Sequence, residues 1–121
     1  LHLSIRRQRQ MCIRDRTILV NLLSNAIKYQ NEETEHKIIV INVTTSLKGI
    51  KIEVSDNGIG IPLEIQDKIF DMFYRGTVKS DGSGLGLYIL SETVKKLKGT
   101  IKLQSLPQEF TKFTIEIPAA T

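Results

Sequence analysis

A single cysteine, Cys12, is all this chain of 121 residues has for thiol chemistry. It excludes an internal disulfide and a cysteine-built metal cluster, and a reducing compartment is the simpler expectation. Nowhere do roughly 18 apolar residues run together, and the start lacks the charged-then-apolar order of a secretion signal, so a soluble piece is expected. There is no internal repeat and no low-complexity segment. The Gly-Lys-Ser/Thr ending of a P-loop is missing, as is the glycine spacing of a dinucleotide fingerprint. An excess of positive charge is missing from most of the chain too. The formal net charge is +4, but residues 1–16 hold five arginines against Asp15 alone, while residues 17–121 hold 12 basic and 12 acidic side chains. The body of the chain is neutral, and no nucleic-acid partner is expected.

The residues present fall into two parts. The opening LHLSIRRQRQMCIRDR has neither helical nor strand periodicity. It reads either as a flexible basic arm or as a stretch that is not native protein, since MCIRDR resembles a translated adapter sequence; the second reading is preferred, and residues 1–16 are set apart from a domain at 17–121.

From Thr17 to Tyr29, Ile18, Leu19, Leu22, Leu23, Ala26 and Ile27 recur at spacings of three and four, one stripe of a helix. Strands are expected over Lys37–Thr45 and Ile50–Val54, paired through a turn near Leu47–Gly49. Within the first, Asn42-Val43-Thr44 is read as ordinary strand and not as a glycosylation site. Pro62 suits the first turn of a helix whose apolar face, Leu63, Ile65, Ile69, Met72 and Phe73, reaches about Tyr74. Gly76–Gly84 is a polar surface loop, Leu85–Lys98 a helix stopped by Gly99, and Thr100–Gln104 and Lys112–Ile117 the closing strands. This order predicts an α+β sandwich, a mixed and mostly antiparallel sheet covered by helices on one face.

Three segments carry chemistry. Asn21, Asn25 and Lys28 share one side of the first helix, with Tyr29 one turn beyond Asn25. An Asn carbonyl suits Mg²⁺ and a nearby Lys suits phosphate, although a solvated helix face has the same pattern. Asp56-Asn57-Gly58-Ile59-Gly60-Ile61-Pro62 leaves the end of a strand. It reads as a plain turn, or as a carboxylate that accepts from an adenine amino group beside glycines that let the base approach. Gly82-Ser83-Gly84-Leu85-Gly86-Leu87 opens a helix, where backbone N–H groups could receive phosphate, or is a flexible linker.

Together these segments resemble the boxes of histidine kinase catalytic domains. NLLSNAIKY is similar to the N box, DNGIGIP to the G1 box, IFDMFYRG to the F box and GSGLGLYI to the G2 box, in the family's order from Thr17 to about Pro118. KGTIKLQS and FTIEIP resemble the family's last hairpin, with Glu109-Phe110 where glycine is common. The resemblance implies the Bergerat ATP-binding fold, incomplete at its N-terminal side, with Mg²⁺ and ATP as cofactors. It implies Asn25 as principal Mg²⁺ ligand with Asn21 beside it, and Lys28 and Tyr29 on phosphate and on ribose or base. Asp56 would hold the adenine amino group, with Gly58, Gly60 and Ile61 around the ring. Phe70 and Phe73 would anchor a lid, and Arg75 would approach the terminal phosphate. Gly82, Ser83, Gly84, Leu85, Gly86 and Leu87 would wrap the phosphates and hold the lid.

Within that resemblance the reaction is narrowed by an absence. Hydrolytic relatives place a Glu four residues before the metal-binding Asn; here the position is Asn21, which has no lone pair basic enough to activate water. An imidazole is already a nucleophile when neutral, so transfer to histidine is expected. His2 and His36 have no suitable setting as acceptor, so the acceptor is expected on a separate dimerisation domain. A response regulator receiver domain and a homodimeric, membrane-anchored parent with this domain in the cytoplasm are implied by the family. The alternatives are a nucleotide-binding regulatory module, an ATPase, or a serine kinase.

Overall fold

The structure is a computed structural model and describes residues 13–71 and 86–119. Its elements are α1 (Ile13–Lys28), β1 (Ile39–Ser46), β2 (Gly49–Asp56), a 3₁₀ turn η1 (Leu63–Ile65), α2 (Gly86–Lys96), β3 (Thr100–Leu106) and β4 (Phe110–Pro118). The sheet runs β1-β2-β4-β3, and every pairing among the described residues is antiparallel.

Alternation decides which face of the sheet is covered. Ile52 and Val54 on β2 and Phe113, Ile115 and Ile117 on β4 point inward and are buried. Their neighbours Lys51, Glu53 and Lys112 face the other way, where Glu53 pairs with Lys112 at 3.2 Å. Over the apolar face lie α1, with Ile18, Leu19, Leu22 and Ala26 buried, and α2, with Leu90 and Val94 buried. Each fully buried Leu or Ile in this layer contributes about 1.5–3 kcal/mol of transfer free energy.

The helices depart from expectation in three places. Helix α1 starts at Ile13, four residues before Thr17, so residues 13–16 lie in the helix and not in an arm. Its predicted stripe is also narrower, because Ile27 is more than half exposed. The helix expected from Pro62 to Tyr74 is, as far as Asp71, a chain of three-residue turns. Ile65, Gln66, Lys68 and Asp71 each donate from N–H to the carbonyl three residues back, and η1 itself is three residues long. Finally, α2 closes with Lys98 and not Gly99 in the left-handed region, at φ 61°. Lys98 N–H bonds the Lys95 carbonyl and Gly99 N–H the Val94 carbonyl, both at 2.9 Å, a Schellman pattern. Gly99 serves a different need, since a Cβ there would meet the Glu116 carbonyl oxygen at 2.5 Å.

Candidate functional site

Asp56 is the last residue of β2, and the loop that leaves it is fixed from three directions. Asn57 prolongs the β1–β2 ladder: its Oδ1 accepts from Ile38 N–H at 2.9 Å, and its Nδ2 donates to the His36 carbonyl at 2.7 Å. Gly58 N–H donates to Asp56 Oδ1 at 2.8 Å, and Ile59 N–H to the Tyr29 carbonyl at the end of α1 at 3.1 Å. On the far side the Ile59 carbonyl accepts from Gln108 N–H at 2.6 Å, in the β3–β4 turn. That turn has Pro107 before Gln108, and Gln108 takes φ 64°. Proline fixes a negative φ at the first central position, so the positive second one makes this a type II turn without its usual glycine.

The glycines of this loop accommodate protein backbone more than ligand. A Cβ on Gly58 would overlap the Tyr29 carbonyl oxygen and meet Asp56 Oδ1 at 2.8 Å, while one on Gly60 would overlap the Leu106 carbonyl. Gly60 also sits at φ 73°, which glycine adopts without strain. The expected reason, room for a ring, therefore describes neither Cβ direction, although Gly60 backbone does line the cavity.

The loop, the end of α1, the start of α2 and the β3–β4 turn enclose a cavity of about 200 Å³. Of the sequence-predicted residues, Asn25, Tyr29, Asp56, Gly60, Ile61 and Leu87 line it. Gly58 does not, and Lys28 is exposed outside the lining. Asn21 Oδ1 lies 4.0 Å from where a Gly86 Cβ would stand, so α1's polar side faces the N-terminus of α2 beside the cavity. Phe70 packs edge-on against Phe113 of the core, with ring centroids 6.2 Å apart. Phe73, Arg75, Gly82, Ser83, Gly84 and Leu85 lie outside the described residues.

Thr111 is a lining residue that the sequence reading missed. It is opposite Asp56 across β2–β4 and opposite Ser105 across β4–β3, so the three side chains form one polar row at the cavity end of the sheet. The missed signal is alternation: Thr111 occupies the same inward series as Phe113, Ile115 and Ile117, and a polar residue there marks where the core gives way to a site. Burial pushes the Asp56 carboxyl above its usual range, with the Gly58 N–H partly offsetting it. The row thus brings a partly desolvated acidic side chain to the wall of a largely apolar cavity.

The model of the histidine kinase-, DNA gyrase B- and HSP90-like ATPase family matches residues 13–121. The chain belongs to that family. The domain is 37% identical over 109 residues to the sensor-like histidine kinase SenX3 of Mycobacterium tuberculosis, covering 85% of this chain and 25% of that protein. It is 39% identical over 105 residues to the sensor histidine kinase WalK of Bacillus subtilis, covering 84% and 17% respectively. The chain therefore spans a quarter or less of these relatives' lengths. Among solved structures it is similar to the catalytic domain of the histidine kinase ThkA, with TM-score 0.71, 29% identity and coverage of 87% of this chain and 67% of that one. A full-length ShkA in complex with AMPPNP has TM-score 0.71 and 25% identity over 89% of this chain and 22% of its own. The fold is the Bergerat fold of histidine kinase catalytic domains, as the motif order implied.

Proposed function

We propose that this domain binds Mg-ATP and donates the γ-phosphate to a histidine on a separate dimerisation and phosphoacceptor domain. The observation that carries the reading is Asp56, a partly buried carboxylate at one end of a cavity that has the Asn25 carboxamide on its wall. A desolvated acceptor of this kind suits an exocyclic amino group, and apolar walls from Ile59, Ile61 and Leu87 suit a flat base. The AMPPNP complex of the similar ShkA supports a nucleotide in this fold.

No cluster of three His, Cys, Asp or Glu side chains capable of holding a metal exists among the described residues. The donor set here fits Mg²⁺ of the kind held by few protein ligands, with Asn25 as the protein oxygen and Asn21 near it. Bound there with phosphate oxygens, Mg²⁺ supplies neutralisation of their charge. The chain's own residues orient the base, exclude water from it and present the triphosphate toward α2's N-terminus. The acceptor imidazole nitrogen forms the new N–P bond as the bond from phosphorus to the bridging oxygen breaks, and ADP leaves. Asn21 in place of a general base disfavours water as the competing nucleophile. Arg75 and the glycines Gly82, Gly84 and Gly86 are proposed to contact the phosphates, as is Lys28.

The parent is proposed to be a homodimer whose phosphohistidine serves a response regulator receiver domain, with this domain on the cytoplasmic side of a membrane anchor. No helix among the described residues is long and apolar enough to cross a membrane. Incubating the chain with γ-labelled ATP and a supplied acceptor domain tests the reaction. Acid-labile, alkali-stable label on the acceptor is the expected result; release of free phosphate without labelling makes the domain an ATPase, and nucleotide binding with neither makes it a regulatory module.

A further inference from the structure

Ser105, paired with Thr111 across β3–β4, does not line the cavity as Thr111 does, and both are buried, at 7% and 5% exposure. Its hydroxyl makes three contacts. Ser105 Oγ is 2.8 Å from the Phe110 carbonyl, accepts from Ile61 N–H at 2.8 Å, and is 3.0 Å from Thr111 Oγ1. A hydroxyl has one hydrogen and two lone pairs. The Phe110 carbonyl can only accept, so it takes the Ser105 hydrogen; the third contact must then be Thr111 donating to Ser105. Thr111 is left with lone pairs alone to turn toward the cavity. Its row neighbour Asp56, ionised, is likewise an acceptor only.

We propose that Ser105 is a positioning residue for base recognition: by holding the Thr111 hydrogen, it makes the Asp56–Thr111 pair an all-acceptor edge that selects a ligand amino group with two hydrogens. The inference rests on the nucleotide reading above and deepens it. Direct or through one water, the two hydrogens of a 6-amino group match the two acceptors. Without Ser105 the Thr111 hydrogen is released to other acceptors, among them the Asp56 carboxylate opposite it in the row, where it competes with the ligand's amino group.

The test compares ATP with purine riboside 5′-triphosphate, which lacks only the 6-amino group, by titration calorimetry on the full chain. Ser105→Ala is expected to lower the preference for ATP about threefold to tenfold, the worth of one hydrogen bond, with affinity for the deamino nucleotide little changed. Adding Ser105→Ala to Thr111→Val is expected to change the preference no further. Ser105→Cys keeps the volume but hydrogen-bonds weakly, and gives a smaller loss of preference even if the alanine variant does not fold. Equal loss of both nucleotides in Ser105→Ala, an unchanged preference in Ser105→Cys, or a full effect of Ser105→Ala in the Thr111→Val background overturns the assignment. Failure of the parent chain to bind ATP overturns the nucleotide reading itself, and the assignment with it.

Discussion

The two ends of the cavity are built on opposite principles. At the sheet end, the loop at 58–61 is bonded to the Tyr29 carbonyl, the Gln108 N–H and the Ser105 hydroxyl, Asp56 accepts from Gly58 N–H, and Ser105 is bonded to the Phe110 carbonyl and to Thr111. At the helix end, Asn25 on the wall and Asn21 beside it have no side-chain hydrogen bond or ion pair to other described residues. Among the described residues beyond its own helix, Gly86 has no atom nearer than 4.0 Å to its missing Cβ. The first end is braced by hydrogen bonds within the protein; the second leaves its polar groups without such bonds to described residues. Under the proposed function, rigid recognition of an uncharged base and adaptable contact with a charged, reacting triphosphate are different tasks, and this division of hydrogen bonding suits both.

The largest effect that would sharpen this contrast is expected at Gly60. Gly60→Ala combines a left-handed φ with overlap onto the Leu106 carbonyl, and a loss of more than about 2 kcal/mol in urea unfolding is expected, with nucleotide binding lost alongside. At Asp56 affinity and stability are expected to separate. Asp56→Asn should weaken ATP about tenfold to hundredfold, as the loss of a charged hydrogen bond does. The melting temperature at pH 7 should be equal or higher, because desolvation is the larger cause of the Asp56 shift.

The sign of the pH dependence is set by the raised carboxyl. Between the ordinary Asp value of 3.8 and its raised folded value, the native state binds more protons than the unfolded chain, so Asp56 erodes stability as pH rises through that window. ATP prefers the ionised form, so its affinity should fall as pH drops through the raised value, and Asp56→Asn should flatten that part of the profile. An unchanged slope in calorimetry would remove Asp56 from the base site.

At the helix end the same kinds of change should be mild for the fold. Asn25→Ala should leave the melt within about 0.5 kcal/mol of the parent, while it reduces the Mg²⁺-dependent part of ATP affinity. Gly86→Ala should also be mild, a gain of up to about 1 kcal/mol from helix propensity, since no described residue crowds the position. A large destabilisation at either position would break the comparison.

Local patterns were legible in the sequence; non-local ones were not. The α1 stripe, the alternation of β2 and β4 and the Asp56 loop can be read from spacing alone, and the family motifs supplied the topology. The apolar series after Pro62 fits a helix by period, but the chain there makes three-residue turns as far as Asp71. Gly99 looks like a left-handed stop, yet Lys98 takes that conformation because the next residue must lie against the Glu116 carbonyl, where only glycine fits. Ser105 and Thr111 became site residues only through the register of β3, β4 and β2, which no single segment encodes.

The bond from Gln108 N–H to the Ile59 carbonyl joins positions almost fifty residues apart, and Gly60 rests on Leu106 across a similar interval. Such a closure is late by nature, because the loop entropy must be spent before the contact returns anything. A nascent chain would therefore carry α1, β1 and β2 well before the cavity could close around the proposed purine. One wall of the proposed base site is supplied by β3 and β4, which follow the other strands of this sheet, so competence to hold ligand there would report completion of the sheet.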